Sequence, residues 1–361
     1  MRKNMRLLCD HQIFSSFRYS GISRYFCELF TEFNKLGVEW QVAHYFTNSA
    51  FLEELTPVRR FLPDMEFRGK NRILENINLI ATRRALAKGD FDVFHSTYSK
   101  PYLPKYTRGK PYVITVQDLT HEKFPELPTA KREAAEEKES IFYADRIITP
   151  SQSTADDLVK LYPEAEKKIR VILDGVRVPQ TLKTVENLPE KYIIHVGTRA
   201  FYRNFGTAAK AMQYIDEDVS MLCVGGGAFT VQEQELFKSL GISHRMVQMR
   251  LDEASLFYAY SKAEALVFPS LAEGFGLPTV EAMSMGCVPV LSDIACFREI
   301  GQDGALYFPA MDERACAEAI NSVLGSSTLK DELVSNGRKQ LPRFDWKNTA
   351  AKTLEVYQEL I

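Results

Sequence analysis

Two acidic residues set around glycines offer the most specific chemistry in this chain. Glu273 and Glu281, with seven residues between them, lie in EGFGLPTVEAM, just after an apolar run at 265–268. The run reads as a buried strand. Glu273, Gly274, Phe275, Gly276 and Leu277 read as a glycine-containing loop, and residues 279–285 as a helix. Pro278 sits near the first turn of that helix, where its missing N–H costs nothing. A strand, a glycine loop and a helix start form an anion site, because free N–H groups and the positive end of the helix dipole point outward. Glu281 lies about one turn into the helix and faces the same mouth. The plainer alternative is a tight βα turn carrying two surface glutamates.

A second stretch, YIIHVGTRAFYRNFG, places Arg199 and Arg203 just past a strand end. Two guanidiniums suit a diphosphate, since each binds phosphate oxygens in a planar fork; two solvated loop arginines are the alternative. SMLCVGGG ends a strand in three glycines, which permits close approach of a ligand to the backbone but lacks the spacing of a dinucleotide fingerprint. Near the start, SGISRYFCELF puts Gly21 between a strand and a helix, again a turn able to face phosphate. VITVQDLTHEKFP puts Gln117 and Asp118 past a buried strand, where the ligand-contacting groups of a parallel sheet belong, with His121 close by. His95 ends another strand and reads as structural. Asp90 and Asp92 form a DxD pair of the kind that holds a metal–diphosphate complex. They open a strand rather than close one, which is the wrong end of the sheet.

The elements that must position these residues alternate regularly. Strand expectations fall at 5–8, 40–46, 93–95, 112–116, 146–149 and 170–173, then at 192–196, 221–224, 246–248, 265–268, 288–291 and 305–308. Helical stretches lie between most of them, among them 23–36, 129–142 and 153–161. This alternation predicts parallel sheets covered on both faces, and it occurs twice. The proline-containing stretch before residue 192 reads as a linker between two doubly wound α/β domains, and FDWKNTAAKTLEVYQELI as one last helix.

Composition narrows the class. The 361 residues suit two domains, with 45% hydrophobic and 25% charged residues typical of a globular chain. The net charge of −2 argues against general nucleic-acid binding. It conceals 28 Lys/Arg against 24 Asp/Glu in residues 1–178 and 17 against 23 thereafter, so the halves are expected to meet different partners. Six scattered cysteines without a CxxC pair argue against a disulfide framework or zinc site and for a reducing compartment. No apolar run approaches the ~18 residues of a membrane span, and the basic start lacks the apolar stretch of a signal peptide. A cytoplasmic protein is expected.

GISRYF, VQDLTHEKFP, ADRIITPSQST, KIRVILDGV, VGTRAFYRNF and EGFGLPTVEAM, in that order and spacing, resemble the retaining glycosyltransferases of family 4 over nearly the whole chain. The resemblance implies the GT-B fold: two doubly wound Rossmann-like domains facing across a cleft, with the C-terminal helix packing back on the N-terminal domain. The expected divisions are an acceptor-binding domain at 1–178, a linker at 179–191, a sugar-nucleotide-binding domain at 192–342 and the C-terminal helix at 343–361. It implies that Glu273 contacts donor-sugar hydroxyls and Glu281 the ribose. Backbone N–H groups around Phe275, Gly276 and Leu277, with Arg199 and Arg203, would hold the diphosphate, and Gly21 would lie against it from the front domain. Arg203 stands where the family usually has lysine. Gln117 stands where the family has the histidine of a His-Asp pair, so the first member of the pair Gln117-Asp118 cannot titrate.

The activity so implied is retaining transfer of a hexose from a nucleoside-diphosphate sugar, with GDP-mannose favoured as donor. The acceptor expected is a hydroxyl of a lipid-linked saccharide in cell-surface polysaccharide synthesis. Positive charge from the arginines and a helix start would stabilise the leaving group, so no metal or other cofactor is expected. An epimerase of the same fold and a catalytically silent sugar-nucleotide sensor are the alternatives. Residues 57–90 carry eight basic residues against Asp64, Glu66, Glu75 and Asp90. Residues 71–88 read as a basic amphipathic helix for an anionic membrane surface, with an ordinary solvated face as the alternative.

Overall fold

A computed structural model describes residues 5–65, 67–102 and 104–361, the side chains of Pro104 and Lys105 excepted. The chain divides into two compact units, Met1–Gly175 with Trp346–Ile361, and Val176–Asp345. Each holds a six-stranded, wholly parallel sheet.

The first sheet contains β1 (Arg6–Cys9), β2 (Glu39–Val42), β3 (Val93–Ser96), β4 (Tyr112–Thr115), β5 (Arg146–Thr149) and β6 (Ile169–Val171), in the order β2-β1-β3-β4-β5-β6. All six expected strands are present. The second is shorter than the apolar run 40–46 predicts, because the backbone turns after Val42: the N–H of His44 reaches back to the Val42 carbonyl at 3.1 Å. Asp90 and Asp92 both pair with Arg6 at the N-terminal ends of β1 and β3, so the DxD pair joins two strands on the side away from the ligand-binding end.

The C-terminal helix, Trp346–Gln358, packs on this first unit, as expected. Trp346, Ala350, Val356 and Tyr357 share one core with Leu7, Phe26, Phe30, Phe33, Val93 and Val113. Tyr357 also bonds His95 Nδ1 at 2.7 Å, while His95 Nε2 meets Thr115 Oγ1 at 2.9 Å. His95 is fully buried, and burial pushes its pKa down to about 3, so a neutral imidazole ties sheet to helix. Glu359 closes the end of the helix onto Arg146 and Arg170 at 2.9 and 2.7 Å. The departing and returning chain touch at Gly175, where a Cβ would fall 2.4 Å from the Trp346 nitrogen.

The second unit holds β7 (Tyr192–Val196), β8 (Ser220–Val224), β9 (Met246–Met249), β10 (Ala265–Phe268), β11 (Val288–Ser292) and β12 (Leu306–Phe308), in the order β12-β11-β10-β7-β8-β9. Alternate side chains of these strands enter two cores. Ile193, Met221, Val267 and Val290 go to one face, and Ile194, Leu222, Leu266 and Leu291 to the other. Burial on both faces is why the strands read as unbroken apolar runs. The six cysteines are buried, and no disulfide joins them among the described residues. No helix among the described residues is long and apolar enough to cross a membrane.

Candidate functional site

In the second sheet the strand order reverses between β7 and β10. Open α/β sheets bind ligands in the crevice at such a switch point, beyond the carboxyl ends of the strands. The two loops that leave there are tied together. Asn204, in the left-handed region at φ 52°, donates through Nδ2 to the Pro269 and Ala310 carbonyls at 3.0 and 2.5 Å. The Leu271 N–H donates to the Tyr202 carbonyl at 2.8 Å. This lacing brings Arg203 from the first loop into an ion pair with Glu273 from the second. Ser270 Oγ adds a hydrogen bond to the same Glu273 oxygen at 2.7 Å. The pair is mostly shielded, at 23% and 8% side-chain exposure, and the Arg203 guanidinium lies over the Tyr202 and Phe268 rings. Charge attraction in such a shielded place is stronger than in water, so the carboxylate is held in one orientation.

The helix that follows, Leu277–Ser284, starts from Gly276 at φ 81°. A Cβ there would meet a Phe297 ring carbon at 2.7 Å, so glycine is required both by conformation and by space. Phe275 turns its ring inward against Phe344, edge to face at 5.7 Å, and leaves its backbone at the loop. The N–H groups of Phe275, Gly276 and Leu277 have no acceptor among the described residues. Three unpaired donors at a helix start are what an anion would satisfy. Glu281 is 4% exposed and accepts from the Tyr260 hydroxyl at 3.1 Å, which aims its carboxylate from within the helix. Thr279 Oγ1, buried nearby on the same helix, has no hydrogen-bond partner among the described residues.

Arg199 is placed differently from the expectation of a phosphate ligand. Its side chain is 4% exposed and bonds Glu233 at 2.6 Å. Its other N–H groups donate to the carbonyls of Gly225, Gly227 and Ala228 at 3.0–3.1 Å. Glu233 also caps the Val231–Ser239 helix in a capping box with Thr230. The three glycines at φ 69–90° therefore wrap an arginine, and a Cβ on Gly226 would strike its guanidinium at 2.7 Å. The triplet exists for close packing around Arg199, so Arg203 alone of the two arginines joins the Glu273 loop.

In the first unit, Gly21 begins the Gly21–Leu36 helix, capped by Ser20 Oγ accepting from the Ile22 N–H. Gln117 and Asp118 follow β4 at the C-terminal side of the sheet, as expected. Asp118 accepts from the Thr120 N–H at 2.8 Å, while Gln117 Nε2 is a buried donor without a partner among the described residues. The sequence reading missed Asp10. Fully buried after β1, it accepts from Gln12 at 2.6 Å, from Ser96 at 2.9 Å and from the Thr97 N–H and hydroxyl, locking the loops after β1 and β3. A short acid between a strand end and a Gln was its only signal. Tyr260 and Ser270 were missed too; both read as ordinary helix and loop residues.

The basic segment departs from its expected amphipathicity. Its helix runs Lys70–Lys88, and the buried face includes Asn78 and Thr82 beside Leu74, Ala81 and Leu86. Asn78 bonds the backbone of Tyr45 and Phe46, and Thr82 the Ala43 carbonyl, because part of this face covers the irregular chain after β2, while Leu86 packs with Leu8, Phe94 and Ile114 of the sheet. Conversely, Ile73 and Ile80 are 45% and 49% exposed, on a surface shared with Arg72, Arg83 and Arg84. Glu66 lies outside the described residues.

Comparison with known proteins matches the two units to two family models. Residues 19–178 match glycosyltransferase family 4, and residues 180–340 match the glycosyl transferases group 1. The O-antigen chain mannosyltransferase RfbU of Salmonella typhimurium is 28% identical over 215 residues, 58% of this chain. The match spans 59% of that relative's length. The O-antigen chain mannosyltransferase B of Escherichia coli is 24% identical over 94% of this chain and 96% of its own. Among solved structures, the sucrose-phosphate synthase from Thermosynechococcus elongatus superposes with a TM-score of 0.77 at 19% identity, covering 99% of both chains.

Proposed function

The chain belongs to the family 4, group 1 glycosyltransferases, and from that membership we propose that it transfers a hexose from a nucleoside-diphosphate sugar to a saccharide hydroxyl, with retention of configuration. The observation that carries the reading is the convergence of a helix start with three free N–H groups and a paired Glu273–Arg203 at the β7/β10 switch point. The free N–H groups receive the diphosphate, and Glu281, held by Tyr260, takes the ribose hydroxyls. Glu273 bonds the sugar hydroxyls, its charge balanced by Arg203.

As the bond from the anomeric carbon to the diphosphate oxygen breaks, negative charge grows on the leaving group and positive charge on the sugar. The N–H groups at the helix start and the Arg203 guanidinium are fixed in place before the reaction, which makes them effective stabilisers of that leaving group. A departing phosphate oxygen then accepts the proton of the attacking acceptor hydroxyl on the same face, which preserves configuration. The positive charge needed at the leaving group is present in the chain, so we assign no role to a metal. GDP-mannose is the favoured donor and a lipid-linked saccharide of a cell-surface polysaccharide the acceptor, in keeping with the O-antigen mannosyltransferases that the chain resembles. The basic Lys70–Lys88 surface would hold the protein at an anionic membrane face.

The test is donor hydrolysis and transfer by the purified protein with a panel of sugar nucleotides. Hydrogen bonds to charged groups are worth about 1.5–3 kcal/mol, so Glu281→Ala should weaken nucleotide binding ten- to a hundredfold. Glu273→Ala should lower turnover by a similar factor with less effect on binding, and EDTA should leave the rate unchanged. A protein that binds a sugar nucleotide without hydrolysing or transferring it would be a sensor instead.

A further inference from the structure

His195 lies near the end of β7, in the same stretch of chain as Arg203, and its ring is fully buried beside Cys223 of β8. Two aromatic rings flank it, Phe205 at 5.0 Å between centroids and Phe268, the last residue of β10, at 6.4 Å. Each of those rings also carries a guanidinium. Arg199 lies 5.7 Å from the centre of Phe205, and Arg203 lies 5.5 Å from that of Phe268. An apolar ring would fill this place between two aromatics without burying polar atoms, so the imidazole nitrogens have to be accounted for.

The two nitrogens differ. Nδ1 lies 3.2 Å from the Val267 carbonyl, which can only accept, so Nδ1 carries the proton. Nε2 then presents a lone pair, and it is buried without a hydrogen-bond partner among the described residues. Burial first, and then the charges of Arg203 and Arg199, hold this histidine down to about 4, so the ring is neutral at ordinary pH. Arg203 supplies the complementary atom. Its Nε is a buried donor without a partner among the described residues, while its Nη1 is committed to Glu273 Oε1, which also accepts from Ser270 Oγ at 2.7 Å. One unpaired acceptor and one unpaired donor therefore belong to side chains that rest against the same Phe268 ring. Folded proteins leave few such atoms unsatisfied. A single water that accepts from Arg203 Nε and donates to His195 Nε2 satisfies both.

We propose that His195 is a positioning residue for the reaction: through one buried water its Nε2 takes the Nε–H of Arg203, and so fixes the plane of the guanidinium that pairs with Glu273. The line of hydrogen bonds runs from the Val267 carbonyl through the imidazole and the water to Arg203 and Glu273. It makes the end of β7 a rigid backing for the charge at the switch point. A guanidinium held at both Nε and Nη1 has its fork fixed, whereas one held at Nη1 alone can still swing. The effect on turnover rests on the transferase reading above. The link itself rests on the two unpaired atoms.

The experiment joins NMR of the arginine and imidazole nitrogens in the full chain to donor turnover. The Arg203 Nε–H should exchange slowly with solvent, and His195→Phe should speed that exchange about tenfold or more. The same variant should lower kcat about tenfold with the donor KM little changed, because Arg203 acts on charge that appears as the bond breaks. His195→Gln, whose amide oxygen can accept where Nε2 does, should retain more turnover than His195→Phe. A purely structural ring gives the reverse order, since phenylalanine keeps the packing between Phe205 and Phe268. In an Arg203→Lys background, which has no Nε–H at that place, His195→Phe should cost less than about a further twofold. Thermal melts check that each variant folds. An equal loss from His195→Phe in both backgrounds, phenylalanine outperforming glutamine, or an Arg203 Nε–H signal indifferent to His195→Phe overturns the proposal. Absence of turnover in the unaltered protein overturns the transferase reading alone, and the NMR comparison then decides the link by itself.

Discussion

Arg199 and Arg203 are four residues apart in one loop and do different work. Arg203 is partly exposed beside Glu273, whereas Arg199 is buried and spends its N–H groups on Glu233 and three carbonyls. A guanidinium can serve all of these at once because its donors are spread over a rigid fork; an ammonium cannot. Arg199→Lys should therefore behave as a structural lesion. Breaking a buried charge pair costs about 3–5 kcal/mol, so the melting transition of the second unit should fall by ten degrees or so. Nucleotide affinity measured well below that transition should change little. The same substitution at Arg203 should leave stability nearly unchanged and lower turnover, because one charged donor still reaches Glu273. A large affinity loss with unchanged melting in Arg199→Lys would return Arg199 to the phosphate site.

At the level of elements, the helix Lys70–Lys88 illustrates how a charge pattern acquires its meaning from what lies underneath. Asn78 and Thr82 of its buried stripe satisfy the backbone after β2 and Leu86 joins the core of the sheet, while Ile73 and Ile80 lie on the outer surface among arginines. That arrangement suits an anionic bilayer, where the cations meet head groups and the isoleucines the acyl boundary. At about 1 kcal/mol for each basic residue near the surface, binding should be appreciable and salt-sensitive. Liposome co-sedimentation is expected with anionic vesicles, falling as sodium chloride is raised and when Arg83 and Arg84 are changed to Glu. Ile73→Asn with Ile80→Asn should weaken binding without altering its salt dependence. Equal binding to neutral vesicles would exclude the electrostatic part.

Over the whole molecule, the first unit is completed by the last helix. Tyr357 fills its core and satisfies His95, so the unit's stability depends on a residue 262 positions away in the chain. Tyr357→Phe should cost about 1–3 kcal/mol, read as a lower melting temperature of the first unit, because it leaves a buried ring nitrogen unpaired. Acid should act on both units. Burial pushes His95 down to about 3 and His195 to about 4, while the unfolded chain keeps its histidines near 6.5. Below pH 6.5 the unfolded state takes up protons that the folded state refuses. Stability should therefore decline with falling pH through the window from 6.5 to about 4 in calorimetry, by up to about 1.4 kcal/mol per pH unit for each histidine. A flat profile across that window would contradict the buried neutral rings.

The central strands of both sheets and their parallel pairing were legible in the chain because burial on both faces leaves continuous apolar runs, a local signal, whereas the edge strand Glu39–Val42 is mostly open to solvent. The Glu273–Glu281 loop was legible for a similar reason: glycine and proline mark a helix start within a few residues of its strand. What local sequence could not carry was the partner of each charged group. Arg199 and Arg203 look alike until folding sets one beside Glu233, 34 residues away, and the other beside Glu273, 70 away. Nor could it reveal that three glycines enclose an arginine, that Asp10 locks two loops, or that Asn78 and Thr82 belong inside. Each depends on contacts between segments distant in the chain, where the pairing energy is decided by burial and geometry rather than by residue type.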